Sequence, residues 1–185
     1  MLHPLPGRRI VVIGTSGSGK TTMARAIAGM LGVPHVELDA LHWEPNWTEA
    51  SLEVFRERVA LALGHDAWSV DGNYAKVRDI VWVRADTVVW LDYPLWLIMT
   101  RLTRRTAGRI VSRRELWNGN RESLRSAVSR DSILLWALQT YSRHKREFRE
   151  LIKQPEHAHL TVIHLHSPQE ATSWLNQLAA SRSRP

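Results

Sequence analysis

Short apolar runs alternate along the chain with longer stretches of helical apolar spacing, and the alternation predicts a parallel α/β domain. The β-rich runs predict strands over Arg9–Ile13, His35–Leu38, Ala67–Val70, Thr87–Leu91 and Leu160–Leu165. The segments between them predict helices over Lys20–Leu31, Thr48–Leu63, Val77–Val81, Leu95–Arg109, Arg121–Ile152 and Pro168–Ala180. Gly32-Val33-Pro34 is a stop signal for the first helix. Thr48, ahead of Glu49, is the expected cap of the second, and Asp92, ahead of Pro94, of the fourth. Trp90 and Trp96 adjoin apolar neighbours and are expected in the core. No repeat or linker divides the chain, so residues 1–185 are expected to form one domain.

The junction of the first strand and first helix carries the sharpest motif. It reads Gly14-Thr15-Ser16-Gly17-Ser18-Gly19-Lys20-Thr21, followed by Thr22. This is the G-x-x-x-x-G-K-[ST] phosphate-binding pattern, set between strand and helix as that chemistry requires. Its glycines let successive backbone N–H groups face one anion, and the helix start adds positive dipole. Lys20 is placed to reach the terminal phosphates of ATP, and the Thr21 hydroxyl to join the shell of a Mg²⁺ ion. A chance glycine-rich turn is the competing reading, and the flanking elements argue against it.

Composition narrows the setting. Hydrophobic residues make up 44% of the chain, enough for a packed core. There is no cysteine, so disulfides and thiolate metal sites are excluded. No run is long and apolar enough for a signal peptide or membrane span, which makes a soluble cytoplasmic protein the expectation. The net charge of +7 is unevenly placed. Residues 101–153 hold fourteen Arg or Lys against five Asp or Glu, a basic segment suited to polyphosphate or nucleic acid.

Ligands of an open parallel sheet sit beyond the carboxyl ends of its strands, and three carboxylates fall there: Asp39, Asp71 and Asp92. Asp71, in Val70-Asp71-Gly72-Asn73-Tyr74, is the expected carboxylate near the metal, with Gly72 allowing a sharp exit. Asp39, in Leu38-Asp39-Ala40-Leu41-His42-Trp43, would face an acceptor, either as a general base, contributing about 10²–10⁴ in rate, or as a binding group alone. His42, Trp43 and Asn73 stand with it on the acceptor side. Trp43, Trp47 and Trp117 lie in polar, loop-like contexts where they would stack on a base or line a pocket. Arg101, Arg105 and Arg109 are spaced four apart and share a helix face. Arginines closing over a transferring phosphoryl group spread its charge. Residues 110–125, with Arg113, Gly119 and Arg121, read as a short mobile lid that keeps water out.

Together these residues resemble the adenylate-kinase-like P-loop kinases, and within them the bacterial topology modulation proteins (FlaR-like), over about residues 8 to 180. The resemblance is carried by Gly14–Thr22, Leu38–Trp43, Val70–Tyr74 with Val77-Arg78-Asp79, Val89–Asp92 and Glu115–Glu122. It implies a three-layer P-loop NTPase fold with a five-stranded parallel sheet in the order 2-3-1-4-5 and a short arginine-rich lid. It also implies that Arg101, seven residues past Pro94, packs on adenine, and that Arg105, eleven past it, contacts phosphate. Arg78 would match an acceptor-side arginine, and the loop at His166-Ser167-Pro168 would hold the base. The acidic residue and Leu41-His42 after the second strand are also similar to gluconate-type kinases. The chain departs from adenylate kinases in lacking a threonine-glycine-aspartate element and a zinc motif in the lid. The activity implied is ATP- and Mg-dependent phosphotransfer to a small molecule or nucleotide. Two alternatives stay open: a nucleic-acid-associated ATPase or regulator acting through the basic segment, and a nucleotide-binding module without catalysis.

Overall fold

The computed structural model describes residues 3–112, 115–120 and 133–182. Five strands form one parallel sheet: β1 (Arg9–Gly14), β2 (His35–Glu37), β5 (Trp68–Asp71), β6 (Thr87–Leu91) and β7 (Thr161–Leu165). Their order is β2-β5-β1-β6-β7, which is 2-3-1-4-5 counted within the sheet. β1 is central, with Val12 in register with Asp71 on one side and Val89 on the other.

β1 explains why this sheet has two cores. Successive strand side chains point to opposite faces, and all the residues of Ile10–Ile13 are apolar and buried. Val11 and Ile13 join Phe55, Val59, Trp82, Trp90 and Phe148 on one face. Ile10 and Val12 join Met23, Ile27, Ile98, Leu165 and Trp174 on the other. A strand buried on both sides must be hydrophobic throughout, and its ligands must sit at its end.

The helices are α1 (Lys20–Leu31), α2 (Leu38–His42), α3 (Leu52–Ala62), α4 (Arg78–Arg84), α5 (Leu95–Ser112), α6 (Ile133–Lys153) and α7 (Pro168–Arg182). α1 ends as expected, on Gly32 in the left-handed region with its N–H on the Ala28 carbonyl. Three expectations are corrected. The helix expected over Thr48–Leu63 starts at Leu52. Thr48–Glu49 instead form a two-residue strand, β4, antiparallel to β3 (Trp43–Glu44). The turn between them puts Asn46 and Trp47 at positive φ, which reverses the chain, and Ser51 caps α3 by accepting from the Val54 N–H at 3.2 Å. The second strand stops at Glu37, and Leu38 opens a helical turn because its buried side chain packs beneath Gly72. Trp96, expected in the core, is 68% exposed on α5. Of the basic helical region expected over 121–152, the described part is α6; residues 121–132 lie outside the described residues. Among the described residues, no helix is long and apolar enough to cross a membrane.

Candidate nucleotide and acceptor site

The loop from Gly14 to Thr21 leaves the C-terminal end of β1 and enters α1. Gly14 has φ 148°, and a Cβ there would lie 2.7 Å from both the Leu91 carbonyl oxygen and Ser18 Oγ, so only glycine fits. Inside the loop, the Ser18 N–H donates to the Thr15 carbonyl at 3.0 Å. Thr15 and Ser18 are buried; Ser16, Gly17, Gly19, Lys20 and Thr21 are half-buried, and Thr22 is exposed. Lys20 Nζ donates to the Thr15 carbonyl at 3.3 Å, so the ammonium folds back over the loop. Burial pushes its pKa down, against the pull of Asp39 and Asp71, and Arg105 adds to the fall. The same interactions place both carboxylates and the Arg105 guanidinium within electrostatic reach of this one ammonium.

Asp71 is buried at the end of β5. Its Oδ2 accepts from the Thr21 hydroxyl at 2.6 Å, and its Oδ1 is 2.9 Å from His35 Nε2. A hydroxyl and a carboxylate held side by side are the oxygen donors that a hard divalent cation takes. Gly72 follows at φ 141°; a Cβ there would meet Leu38 Cβ at 2.7 Å. Asn73 then donates its amide to the Gly14 carbonyl, tying the exit of β5 to the phosphate loop.

Asp39, within electrostatic reach of Lys20, sits in the first turn of α2, and its Oδ1 accepts from the Tyr74 hydroxyl at 2.6 Å. Burial, then the Asp39 charge, pushes the Tyr74 phenol far above its ordinary value, so it stays a donor. A small cleft beside Tyr74, about 10 Å³ and so room for about one water, is lined by Ile13, Asn73, Tyr74, Arg78, Trp82 and Phe148. Arg78 opens α4 and donates to Glu147 of α6 at 2.6 Å. His42 does not line this cleft. It is 3% exposed and packed among Trp43, Phe55 and Tyr74 with ring centroids 4.6–4.9 Å away. Burial lowers its pKa.

Arg101 reaches the phosphate loop directly: it donates to the Ser18 carbonyl at 3.0 Å, with its guanidinium 5.3 Å from the centre of the Tyr93 ring. Pro168 opens α7 beyond β7. There, Ser167 Oγ accepts from the Glu170 N–H at 3.2 Å, and the Glu170 carboxylate accepts from the His166 N–H at 2.8 Å. Arg113 and Arg121, the expected lid arginines, lie outside the described residues. The described part of the expected lid, residues 115–120, is seated on the β3–β4 hairpin. The Trp117 indole donates to Glu37 at 2.9 Å, and the Asn120 amide group donates to the Glu44 carbonyl at 2.8 Å and accepts from the Trp47 N–H at 2.7 Å. Trp43, Trp47 and Trp117 form an edge-to-face series with centroid spacings of 5.5 and 6.5 Å.

Asp92, expected as a cap, instead has its carboxylate engaged elsewhere. It is 6% exposed, with Lys145 Nζ 2.8 Å from Oδ1 and His164 Nε2 3.1 Å from Oδ2. Four participants escaped sequence reasoning. Tyr74 lies inside a motif that already marked the site, so its hydroxyl could have been suspected. His35, His144 and Glu147 gave no signal, because they arrive from β2 and α6 only through the fold. His144 is close enough to Lys20 and Arg78 that both charges, behind burial as the larger cause, help hold its pKa down.

The ATPase family associated with various cellular activities (AAA) has a model that matches residues 10–91, from β1 to the end of β6. The chain carries a P-loop NTPase domain. Its fold is shared with a gluconokinase from Sinorhizobium meliloti 1021, at 21% identity over 97% of each chain with a TM-score of 0.50. It is shared also with a shikimate kinase from Bacteroides thetaiotaomicron, at 15% identity over 94% of this chain and 97% of that one with a TM-score of 0.51. No curated protein sequence matches. The P-loop domain implies nucleotide binding, and its structural neighbours are small-molecule kinases.

Proposed function

We propose that this protein is an ATP- and Mg-dependent phosphotransferase of the adenylate-kinase-like group, acting on a small hydroxylated molecule or a nucleotide. One observation carries the reading. The carboxylate that meets the Thr21 hydroxyl and the carboxylate that meets Tyr74 both lie within electrostatic reach of one loop lysine. A nucleotide-binding module needs the first carboxylate; transfer to an acceptor gives the second a chemical task beyond its bond to Tyr74. The fold shared with a gluconokinase and a shikimate kinase supports the same reading.

Thr21 and Asp71 would hold Mg²⁺, which supplies charge neutralisation between the phosphates. The loop amides and Lys20 bind and orient the phosphate tail, while Arg101 and Arg105 add positive charge at its flank. Asp39 accepts the proton of the acceptor hydroxyl, or its hydrogen bond, with Tyr74 fixing the carboxylate. Arg78 and Asn73 face the acceptor. The tryptophans around residues 115–120 exclude water from a group that would otherwise be hydrolysed.

The test is a phosphotransfer screen with labelled ATP and Mg²⁺ against nucleoside monophosphates, nucleosides and sugar acids. At least one class is expected to be phosphorylated. Lys20→Ala is expected to lower that turnover by at least about 10²-fold. Asp39→Asn is expected to lower it by about 10²–10⁴-fold with ATP binding retained. ATP binding without transfer to any acceptor, or full turnover by Lys20→Ala, overturns the assignment.

A further inference from the structure

A second group of ligating side chains gathers at the C-terminal ends of β6 and β7. Asp92 follows β6, His164 is the fourth residue of β7, and His166 is the first beyond it. Asp92 Oδ2 lies 3.1 Å from His164 Nε2 and 4.0 Å from His166 Nδ1. One ligand atom from each of the three lies within 4.8 Å of the others. The cluster is built by the sheet. Asp92 is anchored by its own N–H on the Leu165 carbonyl at 2.9 Å. Trp90 and His164 are register partners, and their rings stack at 3.9 Å with planes 2° apart. That stack fixes the imidazole plane with Nε2 toward the carboxylate, so little side-chain freedom remains to be lost on ligation.

We propose that Asp92, His164 and His166 form a binding site for a borderline-soft divalent cation of the zinc, cobalt or nickel class. Two imidazoles and one carboxylate are the donor set such ions take, whereas magnesium and calcium prefer oxygen. Donors around an ion at 2.0–2.2 Å stand roughly 3–3.5 Å apart. His164 already meets that spacing. His166 Nδ1, on a side chain that is 57% exposed, stands at 4.0 Å from Asp92 Oδ2 and has to close toward that spacing.

The charged neighbours set the selectivity. Lys145 occupies Asp92 Oδ1 at 2.8 Å and Arg149 lies 3.9 Å from Oδ2. Glu170 stands on the other side, holding the His166 N–H at 2.8 Å. Lys145 leaves Oδ2 to the imidazoles. Two cations beside one carboxylate disfavour an ion bound mainly by charge, such as magnesium. They weigh less against one that gains strong bonds to nitrogen. The site joins the ends of two strands to α6, and cation binding there is measured without phosphotransfer.

The experiment is titration of the chelator-stripped, full-length protein with Co²⁺, read by its visible d–d absorption, in excess Mg²⁺. The expected result is one Co²⁺ per chain, displaced by Zn²⁺ and indifferent to Mg²⁺. His166→Ala, an exposed change, is expected to weaken binding at least about 10-fold, and His164→Gln to do the same. His65→Ala, at an exposed imidazole far along the chain, is expected to leave it unchanged. No stoichiometric binding up to millimolar Co²⁺, or wild-type affinity in both His164→Gln and His166→Ala, overturns the proposal.

Discussion

His42 shows how one residue can look chemical in a motif and act structurally in the fold. It falls beside Asp39 in sequence, yet its ring fills a space between three aromatic side chains, and its Nδ1 is buried with no hydrogen-bond partner. Burial holds its pKa below the ordinary value of about 6.5. Below that pH the unfolded chain therefore binds more protons than the folded one, and stability falls as pH drops. His144 shifts in the same direction, with burial again the largest cause, so His42 carries only part of the effect. Asp92 does not interfere in this window. Burial raises its pKa, but its hydrogen bonds to His164 and Lys145 win and hold it low, so its contribution is lost only in stronger acid. Urea midpoints of the wild type and His42→Phe at pH 7.5 and 5.5 test this. The wild type is expected to lose more stability on acidification than the variant, and equal losses would refute the burial argument.

The element least expected from sequence is the pairing of residues 115–120 with the β3–β4 hairpin. Neither piece is stable alone: a two-residue ladder is too short, and an isolated 3₁₀ turn is not cooperative. They stabilise each other through Asn120, which is 3% exposed and uses its side-chain amide on Glu44, Trp117 and Trp47 at 2.7–2.9 Å. Removing it breaks part-buried hydrogen bonds to the Glu44 carbonyl and the Trp47 N–H, at roughly 1 kcal/mol each. Asn120→Ala is expected to raise amide exchange across 115–120 and 43–49 while the central sheet keeps its protection. Uniformly faster exchange throughout the protein would mean that this contact supports the whole fold and not a local seat.

Across the whole molecule, protection should follow the sheet order. β1 pairs on both sides and is buried on both faces, whereas β2 has three residues of intermediate burial at an edge. Opening β1 requires breaking both cores, so its amides are expected to exchange only on global unfolding. Those of β2 should exchange at least about 10-fold faster under native conditions. Hydrogen exchange read by mass spectrometry checks the ranking, and equal rates for the two strands would contradict it. The phosphate loop hangs from the doubly paired strand, while Asp39 and the hairpin follow the edge strand.

What was legible in the sequence is what local chemistry enforces. The glycines and Lys20 of the first loop, the apolar run of β1 and the Gly32 stop are each readable within a few residues, because steric and hydrophobic demands act locally. Thr87–Leu91 and Lys20–Leu31 were readable to the residue for the same reason. The fold alone decided the rest. It set Tyr74 against Asp39, Glu147 against Arg78 and His164 beside Asp92, pairs separated by 35, 69 and 72 positions. It also sent Trp96 to solvent and His42 inward, although their neighbours in sequence argued the reverse. Periodicity specifies which face of an element is apolar; which distant side chain meets that face is set only when the sheet orders its strands.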